Sequence, residues 1–278
     1  MKGYDFSVPT AYSGGYVPGT LYLPDGHGRI PVCYICPDTA SARDGPYGIL
    51  KAVAEGLTAG GTAAVLYDTA GNGERISETA AFLDQDTYDL DRVRRYVTAA
   101  LGEKMGKEIL AGYGAGALTA AWYASDKRNI ERLVLITPVL AWKNGLDSVH
   151  RKMANRECLN IKCRKEKDYI DELEYRSSPV SDGMNAALHQ LASGFTGEIR
   201  AVIGLKDSPG TAEMLKVFEP YYSRRGEGLS LETVPEVGHR EGLEVPELKM
   251  RLAGLTAETV LRDTREHEKD EEFEEYTR

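Results

Sequence analysis

The chain has 278 residues, of which 42% are hydrophobic and 28% charged. That balance excludes a disordered or low-complexity chain and allows either one large domain or two smaller ones. Its 34 Lys and Arg face 43 Asp and Glu, a formal net charge of -9, so there is no global positive field to hold a nucleic-acid backbone or an anionic membrane, and neither is expected as a partner.

The first elements are β-rich. Strands are predicted over Tyr4 to Val8, Thr20 to Leu23 and Ile30 to Cys36. No apolar signal-like run follows Met1 and no segment reaches membrane-spanning length, so the cytoplasm is the expected compartment. Four cysteines are too few for a disulfide scaffold. Cys33-x-x-Cys36 and Cys158-x4-Cys163 have zinc-like spacing, but Cys33 and Cys36 share one apolar strand, where residues three apart face opposite sides. They read as core thiols. His27, His150, His189 and His267 lack a paired ligand at i+4, so no metal is expected.

Strands and helices then alternate, the ordering of a sheet that becomes parallel and is covered by helices. A helix around Tyr47 to Ala59 precedes a strand Thr62 to Asp68. A helix from Tyr88 to Leu101 carries Leu90, Val93 and Val97 at helical spacing. The strand Glu108 to Gly112 runs into a helix Ala115 to Ala124, and Leu133 to Ile136 is a further strand. Residues 141–195 are charged, offer no strong strand and read as an inserted helical cap. Strand Ile199 to Leu205, helix Ala212 to Tyr222, strand Leu229 to Val234 and helix Glu247 to Arg262 complete the core. Residues 263–278 hold eight acidic against three basic side chains and read as a solvated tail. The organisation is therefore a core of residues 1–140 and 196–262, a cap of 141–195 and an acidic tail.

At the junction of the fifth main strand and its helix stands Gly112-Tyr113-Gly114-Ala115-Gly116. This resembles the G-x-S-x-G nucleophile elbow of the α/β-hydrolase family, whose flanking glycines allow helix and strand to approach closely. Other landmarks fall in the family's order: Asp68-Thr69-Ala70-Gly71-Asn72-Gly73 after the fourth strand, Asp207 where the catalytic acid sits, and His239 after the last strand where the catalytic histidine sits. The resemblance spans the chain to about residue 262. It implies a mostly parallel, eight-stranded-type sheet with helices on both faces and an inserted helical cap. A similar Gly-x-Gly-Ala-Gly-Ala elbow occurs in the N-myc downstream-regulated family, members of the fold regarded as lacking hydrolase activity, so a glycine elbow is compatible with the fold.

The sequence departs from the hydrolase pattern at the elbow's centre. Gly114 has no side chain to form a covalent intermediate, leaving the nucleophile position vacant. Where many relatives place His-Gly after the third strand, this chain has Pro37-Asp38-Thr39. The amides of Thr39 and Ala115 are placed to meet an oxyanion, but a carboxylate at Asp38 opposes negative charge there unless it is protonated or paired. Tyr113 and Trp142 are the aromatic candidates for lining the site.

Two functions stay open at this point. In the first, His239 and Asp207 form a dyad for non-covalent hydrolysis or for proton transfer on a small carbonyl, ester or amide substrate. In the second, the protein is a non-catalytic pseudo-hydrolase acting as a ligand-binding or scaffold protein, or an inactivated Ser-to-Gly variant of a serine esterase or peptidase. The expected partner in either case is a small molecule, with homodimerisation left open. A dinucleotide is not expected, because Gly112-x-Gly114-x-Gly116 lacks the G-x-G-x-x-G spacing, and no cofactor is assigned.

Overall fold

A computed structural model describes residues 1–10, 15–26, 28–38, 41–75, 83–127, 129–139, 179–181, 184–206, 215–216, 218–219, 229–238 and 240–262. The main sheet has eight strands: β1 (Lys2–Pro9), β2 (Tyr16–Leu23), β3 (Ile30–Cys36), β4 (Ala63–Tyr67), β5 (Met105–Tyr113), β6 (Ile130–Ile136), β9 (Glu198–Gly204) and β10 (Leu229–Val234). A separate small hairpin pairs β7 (Pro179–Ser181) with β8 (Met184–Asn185). The helices are α1 (Ile49–Ala59), α2 (Leu83–Leu101), α3 (Gly116–Asp126), α4 (Ala186–Gly194) and α5 (Pro246–Leu261).

The strand order is β1-β2-β4-β3-β5-β6-β9-β10. β2 runs antiparallel to both neighbours, and every pairing from β4 to β10 is parallel. Sequence order therefore reverses direction at β3: β4 lies on one side of it and β5 on the other. In open α/β sheets such a switch point leaves a crevice at the carboxyl ends of the two strands, because their following segments part to opposite faces.

All seven residues of β3 are buried, as expected for a central strand covered on both faces. Val32, Tyr34 and Cys36 belong to the core cluster under α2, α3 and α4, whereas Cys33 and Ile35 belong to the cluster under α1 and α5. The two thiols thus lie on opposite sides of the sheet, and burial pushes the Cys36 thiol up to about 12. The carboxyl end of α5 is held by two arginines of the sheet. Arg132 donates to the Val260 carbonyl at 2.5 Å and Arg200 to that of Thr259 at 2.7 Å, with both guanidinium groups also on Glu198. Cations at this end of a helix satisfy carbonyls that have no partner within the helix.

Differences from the sequence expectation have local causes. The helix expected from Tyr47 starts at Ile49, because Tyr47 (φ 53°) and Gly48 (φ 73°) are left-handed and the chain enters through a short 3-10 turn. β1 and β2 are longer than expected: Lys2 to Pro9 pair with Leu23 to Tyr16 although most β1 side chains are exposed, so hydropathy marks only part of this edge strand. The stretch that offers no strong strand in the sequence contains β7 and β8, which at three and two residues are too short to leave a pattern. α4, at the end of that stretch, contributes Leu188 and Leu191 to the main core beside α3. Most of the proposed cap, residues 141–178, lies outside the described residues, as do the acidic tail and all but four residues of the helix expected from Ala212 to Tyr222.

Candidate functional site

The turn from β5 into α3 sits at the switch point, directly against the end of β3. A β-carbon on Gly116 would run into the carbonyl oxygens of Cys36 and Pro37, and one on Gly112 into the backbone of Ala117. Both flanking glycines are thus required by close approach, as the motif implied. Between them Gly114 has φ 59°, a left-handed conformation that costs a residue with a side chain about 1 to 3 kcal/mol. The turn is fixed from the other side too. Gly114 donates its N–H to Ile136 at 3.1 Å and accepts at its carbonyl from the Val139 N–H at 3.0 Å, so the segment leaving β6 wraps around it.

Asp38, buried just past β3, reaches across to this turn. Its Oδ1 accepts the Ala115 N–H at 3.1 Å, and its Oδ2 accepts Arg240 Nη2 at 3.1 Å. The arginine side chain is 44% exposed and the carboxylate 7%. The sequence left Asp38 as either protonated or paired. The two donors among the described residues are N–H groups, one of them cationic, so it accepts as a paired carboxylate. An amide at the start of a helix is a natural anion site. Here the anion comes from the chain itself.

The loop after β4 braces the loop after β3. Asp68 accepts the Arg43 N–H at 2.7 Å, the Arg43 guanidinium at 2.8 Å and the Glu74 N–H at 3.2 Å. Arg75, equally buried, donates to the Asp68 carbonyl and forms an ion pair with Asp89 of α2 at 2.6 Å, and Thr10 donates to the same carboxylate at 2.8 Å. The Asp-x-x-Gly-x-Gly segment is therefore a structural brace. Its paired charges explain how so many ionic groups are enclosed here.

At the far end of the site, the Lys206 N–H donates to the Val237 carbonyl at 3.0 Å, and the Gly238 N–H to Glu241 at 2.9 Å. The Lys206–Val237 bond thus joins the segments that lead into positions 207 and 239, while Asp207, His239, Thr39 and Trp142 themselves lie outside the described residues. Tyr113 is fully buried in the core cluster with Ile109, Val134 and Val202, so its ring packs beneath the sheet edge rather than lining a cleft. Arg240 was not singled out in the sequence, although it adjoins His239. Thr137, past the end of β6, was also missed: it is fully buried at φ 36°, and its hydroxyl has no hydrogen-bond partner among the described residues.

No protein-family model matches the chain, and no curated protein sequence does. Solved structures do resemble it. The esterase Pf2001 of Pyrococcus furiosus superposes with a TM-score of 0.66 at 18% identity, covering 91% of this chain and 88% of its own. Est1E from Butyrivibrio proteoclasticus gives 0.61 at 15% identity, over 92% and 98%. The esterase domain of a Rhodothermus marinus protein gives 0.62 at 12% identity, over 94% and 99%. With the strand order above, these likenesses define the architecture: the chain has the α/β-hydrolase fold. No helix among the described residues is long and apolar enough to cross a membrane.

Proposed function

We propose that this protein is a hydrolase-fold ligand-binding protein that does not run covalent acyl transfer. Its ligand sits in the switch-point crevice at the carboxyl ends of β3 and β5. Gly114 stands where the nucleophile of this fold would be carried, and it offers none. The observation that carries the proposal is the hydrogen bond from the Ala115 N–H to Asp38. That amide is the donor an oxyanion would need. With a carboxylate already on it, negative charge developing beside the turn meets repulsion in place of stabilisation, and loss of one such donor alone costs on the order of 10² to 10³ in rate. Water-mediated hydrolysis and enolate formation both develop an oxyanion, so the same contact opposes both.

The test is a panel of small esters, amides, lactones and carboxylic acids. At least one should raise the melting temperature and remain unconverted over hours, since a ligand preferring the native state stabilises it whether or not chemistry follows. Turnover by the wild-type chain, lowered about 10²- to 10⁴-fold in His239→Ala, would overturn the binding proposal in favour of a His239/Asp207 dyad. One observation favours that second reading: the Lys206 to Val237 hydrogen bond joins the segments that lead into positions 207 and 239.

A further inference from the structure

We infer that the hydroxyl of Thr137 is the hydrogen-bond donor for the carbonyl oxygen of a small neutral ligand, replacing the Ala115 N–H in that role; this rests on the binding function proposed above. Three observations converge on Thr137. First, it is a β-branched residue at φ 36°, where side chains other than those of Gly, Asn and Asp are rarely found. Secondly, its Oγ1 is fully buried without a hydrogen-bond partner among the described residues. Thirdly, its backbone is locked beside the turn. Its N–H donates to the Val202 carbonyl at 2.7 Å, while Ile136 before it and Val139 after it bond the N–H and C=O of Gly114.

Two separate costs therefore meet in one residue. Glycine would relieve the first and valine the second. Strain and an unsatisfied buried polar group are expected together where a binding partner, absent from the free protein, supplies the compensation. The position fits that role. β6 is the neighbour of β5 on the side away from β3, so Thr137 flanks Gly114 opposite Asp38, about one strand spacing of 5 Å from the turn. On the two sides of Gly114, then, the Ala115 donor is occupied and the Thr137 hydroxyl has no partner among the described residues. The carboxylate of Asp38 disfavours an anion there. The ligand class is thus a compact amide, lactone or ester, presenting a carbonyl oxygen small enough to be enclosed with the hydroxyl.

The full-length wild type, Thr137→Val and Thr137→Ser are compared by thermal melting alone and with two probes, N-methylacetamide and γ-butyrolactone. Val keeps the shape and branching of Thr without its O–H. Free Thr137→Val should melt at the wild-type temperature or above, because an unsatisfied group has been removed. Its affinity for the amide should fall about five- to tenfold, with Thr137→Ser retaining it. A lower melting temperature for free Thr137→Val means the hydroxyl serves an enclosed water, and overturns the inference. So does equal probe affinity in wild type and Val variant, or no stabilisation of the wild type by either probe. Should Thr137→Val not fold, Thr137→Ala carries the same comparison. Hydrolysis of the lactone by the wild type would count against the non-catalytic function alone, since the amide arm still decides the role of Thr137.

Discussion

Asp38 and Asp68 end neighbouring parallel strands, and both are buried carboxylates that accept one guanidinium and at least one backbone amide, yet they serve different ends. Asp68 draws its donors from Arg43 and Glu74, within 25 residues of it in sequence, and its arginine is itself four-fifths covered. Among the described residues, the donors to the Asp38 carboxylate come from 77 and 202 residues away, and its arginine is nearly half exposed. The first arrangement closes a loop upon itself. The second links the end of β3 to the α3 turn and to the segment after β10, through an arginine that reaches solvent. A buried carboxylate is thus a brace or a site component according to where its donors come from and whether water can reach them.

The largest expected effect tests the brace. Asp68→Ala strands two backbone N–H groups and leaves the Arg43 cation with Glu74 as its remaining carboxylate, and should cost about 2 to 4 kcal/mol in urea denaturation. A loss no greater than that of Asp38→Ala would erase the contrast. Gly114→Ser comes next, at about 1 to 3 kcal/mol, because a side chain would be forced to φ 59°. This variant should stay inactive on activated aryl esters by itself and gain measurable hydrolysis only when combined with Asp38→Ala, which frees the Ala115 amide. Activity in the single variant would show that Asp38 does not occupy a functional oxyanion position. The smallest effect is that of Arg240→Ala. An ion pair with one exposed partner contributes roughly 0 to 1 kcal/mol, and the difference from wild type should shrink in high salt.

Much of the core was legible because hydropathy alone decides it. Ile30 to Cys36 and Leu229 to Val234 are expected with their observed ends, the one fully buried and the other at the edge of the sheet. The opposed thiols followed from the two-residue period of a strand. The Gly-x-Gly-x-Gly turn was legible as chemistry, since close packing and a positive φ leave few residues that fit. Long-range pairing was not. The charge at Asp38 posed the question of a partner, but nothing within the neighbouring sequence points to Arg240, and backbone strain at Thr137 leaves no mark in composition or periodicity. Tyr113 misled because an aromatic beside a motif suggests a ligand wall, whereas its position on a strand sends it into the core.

Cys33 and Cys36 sit only three residues apart but face different helical layers, and this gives the protein a built-in pair of reporters. Both are fully enclosed, and burial raises both thiols, so an alkylating reagent reacts with either only after the structure has opened around it. Cys33 becomes available when the layer of α1 and α5 lifts, Cys36 when that of α2, α3 and α4 does. The order in which one peptide acquires its two labels therefore records which side of the sheet loosens first, resolving partial opening of the native state without adding any foreign probe.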